Sequence, residues 1–386
     1  MTQPPNGWGN QPLPPPPENG WQGQQPGQQP PMQSPPSWGP QYQQQFTPPP
    51  PPKNNRALKW ALGGTALIAV IAITAVVTMS LGGGDKEKGD GSGPTPTAGS
   101  GSNSDFASAN DTGPVTIITE DPSCAPWIPI NNTFSDSAKN GWLDRDPSIP
   151  ANAWSAEQRK QYEVVGEAMR AAADQTKPLI KLTTHRVMRQ LYEQFTAYAR
   201  AYAEAIPTYA PRDDALARAA SMSSRVLSGI CQAISFGSAA ARAPLVPGVA
   251  APNNVAQPSN AANPKYFLTS PDPVCRDWQS ADDQFLKDVA AWLKTDPNIP
   301  AGQWTPDQKI LNDAVVPVMR ESADKIEEIG RSSDNPVLQD FAVLSAQYRR
   351  GYAQAIPTYT PSDKHLYDVS VFTVGVVNQA CNAAAE

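Results

Sequence analysis

Two stretches of the sequence are nearly identical, and each predicts a connection between two helices, which we call a corner. Residues 201–211 read AYAEAIPTYAP, and residues 351–361 read GYAQAIPTYTP, 150 positions later. A residue that precedes proline avoids the α-helical region, so a helix should end near Ala205, just before the Ile-Pro pair. Proline is favoured at the first position of a helix and a carboxylate in its first turn, so Pro211 and Asp213 should open the next helix. Each stretch therefore predicts a tight connection between two helices.

The corner belongs to a longer duplication. When Trp142 is placed on Trp292, the chain aligns with itself over 90 positions without a gap, and 29 of these positions are identical. The match ends with Cys231 on Cys381, and it continues upstream with a shift of one residue. A repeat of this length indicates a tandem copy of one folded unit.

Both copies show the apolar spacing of amphipathic helices. In the second copy one such face runs through Leu338, Phe341, Leu344, Tyr348 and Tyr352, as a half-buried helix requires. Four helices of this kind with short connections predict an antiparallel four-helix bundle. The expected fold is therefore all-α, with two tandem four-helix-bundle-like repeats over residues 123–233 and 274–386.

A second corner lies earlier in each copy, where the sequence reads IPANAWSAEQ or IPAGQWTPDQ. Ser155 with Gln158 has the pattern of a capping box, and Thr305 with Gln308 repeats it. We expect the aromatic residue just before each cap to close an end of a bundle. The corner residues are Trp154, Pro207, Tyr209 and Asp213 in the first copy, and Trp304, Pro357, Tyr359 and Asp363 in the second.

One cysteine begins each copy and another ends it. The simplest pairing joins Cys124 to Cys231 and Cys275 to Cys381, although four cysteines permit three connectivities. Disulfides persist in oxidising compartments, so the repeats are expected outside the cytoplasm. No C-x-x-C pattern occurs, which disfavours redox chemistry.

The segments outside the repeats have a different composition. Residues 1–56 are rich in Pro and Gln, which predicts a disordered cytoplasmic tail that could offer proline motifs to a binding protein inside the cell. From 60 to 81 there are 22 residues without a charge, enough at about 1.5 Å per residue to cross the ~30 Å hydrocarbon layer. We expect a transmembrane helix over 57–82, a flexible linker over 83–122 and a second linker, rich in Pro, Ala and Asn, over 234–273.

The basic residues around the apolar stretch indicate its orientation. Lys53, Arg56 and Lys59 precede it, whereas Lys86 and Lys88 follow it. The positive-inside rule therefore favours a cytoplasmic N-terminus. The predicted location is the cell membrane, with a single pass and with both repeats extracytoplasmic, and the oligomeric state stays open.

The net charge and the motifs of the sequence argue against several classes of function. The net charge of -6 and a pI near 5.1 argue against a nucleic-acid groove, which needs clustered Lys and Arg. The two histidines, His185 and His365, do not occupy matching positions, and no H-E-x-x-H, G-x-S-x-G or phosphate-loop pattern occurs. We expect no cofactor, no metal and no catalytic site, so the chain is predicted not to be an enzyme.

Polar residues kept in both copies are the candidates for a site. Arg170 and Asp174 lie one helical turn apart and could pair, while Arg200 falls between two tyrosines on the next helix. In a functional interpretation Arg200 and the tyrosines line a groove, where the guanidinium offers a planar fork to a carboxylate or phosphate. In a structural interpretation an ion pair joins two helices. The candidates are Arg170, Asp174, Tyr198, Arg200 and Tyr202, with Arg320, Asp324, Tyr348, Arg350 and Tyr352 in the second copy.

The layout resembles that of actinobacterial, mycobacterium-type proline-rich single-pass membrane proteins of the envelope. The tail carries the Trp-Gly repeats GWGNQP and SWGPQ ahead of one anchor segment and an Ala-rich domain. The repeats carry the signatures W…DP-IPA--W and Y-R-YA-AIPTY-P-D. The resemblance implies an envelope location, and it carries over no activity and no functional residue.

Together these features predict a membrane-anchored, extracytoplasmic binding or scaffolding protein of the cell envelope. The expected partner outside is an envelope protein, a lipid or a glycan. Two alternatives stay open. One is an envelope hydrolase or transferase, which would need duplicated carboxylates in a helical cleft; the other is a purely structural spacer.

Overall fold

The regular structure is helical throughout the part of the chain that the computed structural model describes, residues 105–139 and 141–385. The all-α prediction is confirmed for these residues. Repeat 1 contains α1 (Cys124–Ala138), α2 (Ala156–Leu182), α3 (Arg186–Ala205) and α4 (Asp214–Ser235), followed by the short α5 (Ser238–Arg242). Repeat 2 contains α6 (Cys275–Asp288), α7 (Pro306–Arg331), α8 (Pro336–Ala355) and α9 (Lys364–Ala384).

The N-terminal predictions fall on residues that are not described. The tail over 1–56 and the membrane helix over 57–82 both lie there. Within residues 105–139 and 141–385, no helix is both long enough and apolar enough to cross a bilayer.

Local sequence signals set the ends of the long helices. Ser155 caps α2 in a capping box with Gln158, and Thr305 caps α7 in the same way with Gln308. Both capping boxes are therefore confirmed. α3 and α8 end at Ala205 and Ala355, just before the Ile-Pro pairs. The reason given from the sequence is wrong, however, because Ile206 and Ile356 remain in the α region and continue each helix as a 3₁₀ turn.

A disulfide closes each repeat. Cys124 pairs with Cys231 and Cys275 with Cys381, which confirms the simplest of the three connectivities. The two bridges span 107 and 106 positions of the chain. Each one ties the first helix of its repeat to the fourth.

The two repeats meet along their fourth helices, which run antiparallel. Phe236, just after the end of α4, stacks on His365 at the start of α9, with ring centroids 5.3 Å apart. Farther along, Arg225 lies over the ring of Phe372 at 5.0 Å, and Met222 packs beside Gly375. Because Arg225 aligns with Gly375 and Met222 with Phe372, the two contacts are reciprocal. The repeats are therefore related by an approximate twofold axis, as the two subunits of a symmetric dimer are.

A buried ion pair lies in a second contact between the repeats, where α3 approaches α8. The Arg186 guanidinium donates to both carboxylate oxygens of Asp340, at 2.9 and 2.8 Å. Gln190 Nε2 donates to the same carboxylate at 2.9 Å. Gln190 and Asp340 occupy matching positions of the two repeats, so this contact also crosses the approximate axis. The side chains of Arg186 and Asp340 are 1% and 2% exposed.

Two irregular segments cross from one repeat to the other. The first strap, residues 105–122, lies against α2 and α3 and also reaches α8, where the Ile118 N–H donates to the Tyr348 hydroxyl. Ile117 packs on Gly351 so closely that an added Cβ there would lie 2.6 Å from Ile117 Cδ1. The second strap, residues 243–273, follows α5 and lies along α3 before it returns to α8.

The straps differ from the linkers that the sequence predicts over 83–122 and 234–273. Residues 234–242 are mostly helical, and residues 105–122 pack on the helices. In both straps backbone groups supply much of the bonding, for example the carbonyl groups of Gly113 and Ala256. Both straps are therefore ordered although they contain few apolar residues. Backbone N–H and C=O groups form hydrogen bonds whatever side chains they carry, so composition alone does not indicate this order.

Removing either disulfide should destabilise the protein to a similar extent. Loop closure over about 107 residues is worth ~4 to 5 kcal/mol in the chain-entropy model. We expect the double variants Cys124→Ser/Cys231→Ser and Cys275→Ser/Cys381→Ser to lose about 4 kcal/mol each, measured by urea unfolding. A loss confined to one variant would contradict equal roles for the two bridges.

Breaking the buried ion pair should cost far more than breaking an exposed one. Asp340→Ala removes the acceptor of Arg186 Nε and Nη2 and leaves the guanidinium only one carboxylate contact, the longer one of Nη1 with Asp111 at 3.4 Å, so we expect a loss of about 3 to 5 kcal/mol in the free energy of unfolding. Asp174→Ala is the matched control: its carboxylate pairs with Arg200 but is 59% exposed, so the expected loss is about 0.2 to 1 kcal/mol. Equal losses in the two variants would contradict a larger role for the buried Arg186–Asp340 pair.

Candidate functional site

The corner residues close one end of each repeat. In repeat 1 the Trp154 Nε1 donates to the Ile149 carbonyl at 2.8 Å, and the Tyr209 hydroxyl donates to the Pro147 carbonyl at 2.8 Å. The Asp213 carboxylate accepts from the Ala210 N–H, also at 2.8 Å. These bonds satisfy donors and acceptors at helix ends and loops that would otherwise lack partners.

Repeat 2 reproduces the same corner. Trp304 donates to the Ile299 carbonyl at 2.9 Å, Tyr359 donates to the Pro297 carbonyl at 2.7 Å, and Asp363 accepts from the Thr360 N–H. Pro207 and Pro357 each stand in the short 3₁₀ turn that follows α3 or α8. Asp363 has an additional partner, because the Arg242 guanidinium binds it at 2.9 Å from between the repeats.

In repeat 1 an arginine of α3 binds an aspartate of α2. Arg200 Nη2 donates to Asp174 Oδ1 at 2.8 Å, and its Nη1 donates to the Ala262 carbonyl of the second strap at 2.6 Å. Hydrogen bonds from Lys177 and then Arg200 hold the pKa of Asp174 below its usual value. The suggested Arg170–Asp174 pair is wrong. Arg170 bonds the Ala203 carbonyl at 2.7 Å instead, because its side chain reaches the end of α3.

In repeat 2 the matching arginine binds two carboxylates. Arg350 donates to Asp324 at 2.6 Å and to Glu327 at 2.5 Å. Burial lowers the pKa of Arg350, but these two hydrogen bonds outweigh it and the pKa is raised overall. Glu327 aligns with Lys177 of repeat 1, so repeat 2 supplies its own acceptor where repeat 1 uses the strap. Arg320, the counterpart of Arg170, is exposed.

An open cleft lies beside Arg350. Its volume is about 480 Å³, and it lies between α7, the last turns of α8 and the second strap. The equivalent place in repeat 1 is crossed by the strap at Ala262. The lining residues are Pro247, Gly248, Val249, Asp324, Glu327, Glu328, Arg331 and Arg350.

The tyrosines do not line a groove. Tyr198 is fully buried and stacks on Tyr266 of the second strap at 4.6 Å, and the Tyr202 hydroxyl accepts from Trp142 Nε1 at 3.1 Å. Tyr348 accepts from the first strap, and Tyr352 packs among the aromatic side chains of repeat 2. Burial raises the pKa of all four hydroxyls. These groups therefore stay neutral, and their role in the described structure is to pack the core and hold the straps.

Several buried charges escaped the sequence analysis, among them Arg186, Asp340 and Arg349. Arg349 of α8 is 1% exposed, donates to the hydroxyls of Ser370 and Ser322, and lies 4.1 Å from the centre of the Phe285 ring. Burial lowers its pKa to about 10. The three polar residues of this cluster align with Ala199, Ala220 and Ala172 of repeat 1. Coordinated Ala-to-polar differences between the copies are the signal that could have revealed it.

The described residues hold no group of His, Cys, Asp and Glu side chains that is arranged to bind a metal ion. His185 contacts the Glu120 carbonyl of the first strap at 3.0 Å, and His365 lies at the seam between α4 and α9. The two histidines are therefore in different surroundings, in agreement with their unmatched positions in the sequence.

Comparison with known proteins places this fold in a family. Residues 106–386 match the family described as Mycobacterial ESX-1 associated protein. A protein of Mycolicibacterium smegmatis (strain MKD8), described as uncharacterized, is 48% identical over 329 residues, which is 85% of this chain and 87% of that protein. No solved structure matches the chain. Since the family match spans both repeats and their straps, the chain belongs to the family of mycobacterial ESX-1 associated proteins.

Proposed function

We propose that this chain is a membrane-anchored, extracytoplasmic scaffolding or binding protein of the cell envelope that works alongside the ESX-1 secretion system. The observation that carries the proposal is the construction of its folded part. Two disulfide-closed repeats are joined by a seam, a buried ion pair and two straps into one framework. A framework of this kind suits a protein that holds others in a fixed arrangement.

The disulfides support a location outside the cytoplasm. All four cysteines of the chain are paired, and such bonds persist in an oxidising compartment. The apolar stretch over 60–81 supplies an anchor of the right length. The similarity to the Mycolicibacterium smegmatis protein covers 85% of the chain, a larger share than residues 106–386, so it extends into the segment ahead of the repeats.

The cleft beside Arg350 supports binding as the mode of action. It is open to solvent, whereas the second strap crosses the equivalent place in repeat 1. Three carboxylates and two guanidinium groups line it, and Glu327 is paired with both Arg331 and Arg350. Exposed polar groups in such an arrangement favour a polar partner such as a peptide segment. We propose that the chain binds at this surface and does not catalyse a reaction.

Protease treatment of intact cells tests the location. We expect an added protease to cut between residues 83 and 104 and to release a fragment that carries both disulfides, since that segment would lie outside the membrane. An epitope tag ahead of residue 53 should stay protected until the cells are lysed. A protected C-terminal half, or a tag that is lost from intact cells, would contradict the proposed orientation.

Crosslinking from the cleft tests binding. With a photo-crosslinking amino acid in place of Glu328, we expect capture of a defined envelope protein in living cells, because this side chain lines the open cleft. The control has the same amino acid in place of Pro178, the matching position of repeat 1. Equal capture at both positions would argue for non-specific contact. Capture at neither would favour the structural spacer.

A further inference from the structure

The antiparallel seam gives the two-repeat body two different ends. α4 finishes near Cys231, which is bonded to Cys124 at the start of α1, whereas α9 begins just after the corner at Asp363. Phe236 and His365 bring these two places together. The disulfide end of repeat 1 and the corner of repeat 2 therefore lie on the same side of the body. We call it the tether side, because the first strap begins there, where Asp105 binds Lys181 at 3.0 Å.

Large exposed hydrophobic side chains collect on the tether side. Phe236 and Ile310 are 62% and 65% exposed; Ile310 lies in the first turns of α7, at the corner end of repeat 2. Leu245 closely follows Arg242, which binds Asp363 at that corner. Ile128 lies in the second turn of α1, and Leu182 ends α2. Of the six large hydrophobic side chains that the described residues expose, these five share one side; the sixth is Val164.

The opposite side is polar at each matching position that the structure describes. The approximate twofold axis exchanges the two sides, so the second copy provides an internal comparison. Where the tether side has Ile128, Leu182 and Ile310, the matching positions are held by Gln279, Ser332 and Lys160. Phe236 aligns with residue 386, which lies outside the described residues. Leu245 lies in the second strap and has no counterpart. Since one ancestral unit gave rise to both copies, this difference in polarity is specific to the side and does not follow from the fold.

The first helix of each repeat shows the same contrast. Residues 124–135 of α1 read CAPWIPINNTFS and contain no charge. The aligned residues 275–286 of α6 read CRDWQSADDQFL and contain four. At the exposed positions, Ala125, Pro126 and Ile128 stand where α6 has Arg276, Asp277 and Gln279. Because the outer face of α1 carries no charge, the free energy needed to remove it from water is small.

The length of the segment between the predicted membrane helix and the first strap indicates what the tether side can contact. Between the predicted membrane helix, which ends at 82, and the first strap, which begins at Asp105, there are 22 residues, 83–104. A flexible chain of that length has a root-mean-square reach of about 26 Å. Because the strap begins on the tether side, the lipid surface lies within reach of that side.

We propose that the tether side docks on the lipid surface of the membrane in which the chain is anchored, with Phe236, Ile310 and Ile128 in contact with lipid. The inference rests on the proposed anchor. Scattered exposed hydrophobic residues need no explanation, but a one-sided set does. Each such contact is weak alone, and the tether makes weak contacts sufficient because it keeps the surface at a high effective concentration near the bilayer. This docking fixes the orientation of the cleft beside Arg350 relative to the membrane.

Photo-crosslinking in vesicles tests the docking. The full chain is reconstituted in vesicles of phosphatidylcholine and phosphatidylglycerol, with benzoylphenylalanine in place of Phe236 or Ile310. The controls carry it in place of Lys160 or Gln279, exposed residues of the opposite side. We expect adducts with the mass of one lipid from positions 236 and 310, and only background from positions 160 and 279. No lipid adduct from 236 and 310, or equal yields at all four positions, would overturn the proposal, as would an adduct with a second copy of the chain.

A variant and an extraction step separate the possible failures. Leu245→Asp with Ile310→Asp should reduce the lipid adduct from benzoylphenylalanine at position 128 to background, while the urea midpoint stays unchanged because both side chains are more than half exposed. An undiminished yield would contradict the docking. Alkaline carbonate extraction of the vesicles checks the anchor. Release of the chain from the vesicles would refute the proposed anchor together with this inference, whereas retention without lipid adducts would refute the inference alone.

Discussion

The antiparallel contact between α4 and α9 is the constraint on which the rest of the structure depends. Each repeat alone would expose an apolar face on its fourth helix, and pairing the two faces removes both from water. When α4 and α9 pair in this way, α3 and α8 also approach each other, and Arg186 forms its ion pair with Asp340. A buried ion pair adds little net stability, yet it is costly to break. It therefore acts against other arrangements of the same two repeats.

Much of the fold could be predicted from the sequence because its signals are local. Ile-Pro pairs, capping boxes and helical spacing act over a few residues, and the duplication showed which of them belong to the framework. One cysteine at each end of each copy indicated the simplest disulfide pairing, and the structure selects it from the three that the sequence leaves open. The relation between the repeats could not be predicted, because neither the apolar face of α4 nor that of α9 specifies its partner.

The candidate site was predicted less well, for physical reasons that differ from residue to residue. Arg170 and Asp174 are neighbours on one helix, but Asp174 pairs with Lys177 on that helix and with Arg200 on another. Tyr198 and Tyr348 were assigned to a groove, but the straps cover them with backbone groups and one aromatic ring. A segment rich in Pro, Ala and Asn gives no sign that its carbonyl groups will bind arginines. Positions where the copies differ, such as Arg349 and Glu327, mark the places where their side-chain contacts differ.

The first strap also bears on how the chain acquires its structure. The Ile118 N–H and the Tyr348 hydroxyl are separated by 230 positions, so this contact has to wait until almost the whole polypeptide has been made. Contacts between residues so distant along a chain are associated with slow folding. The end of the first strap therefore cannot reach its final position until α8 has been made. A chain interrupted before α8 would leave the Ile118 N–H without its acceptor.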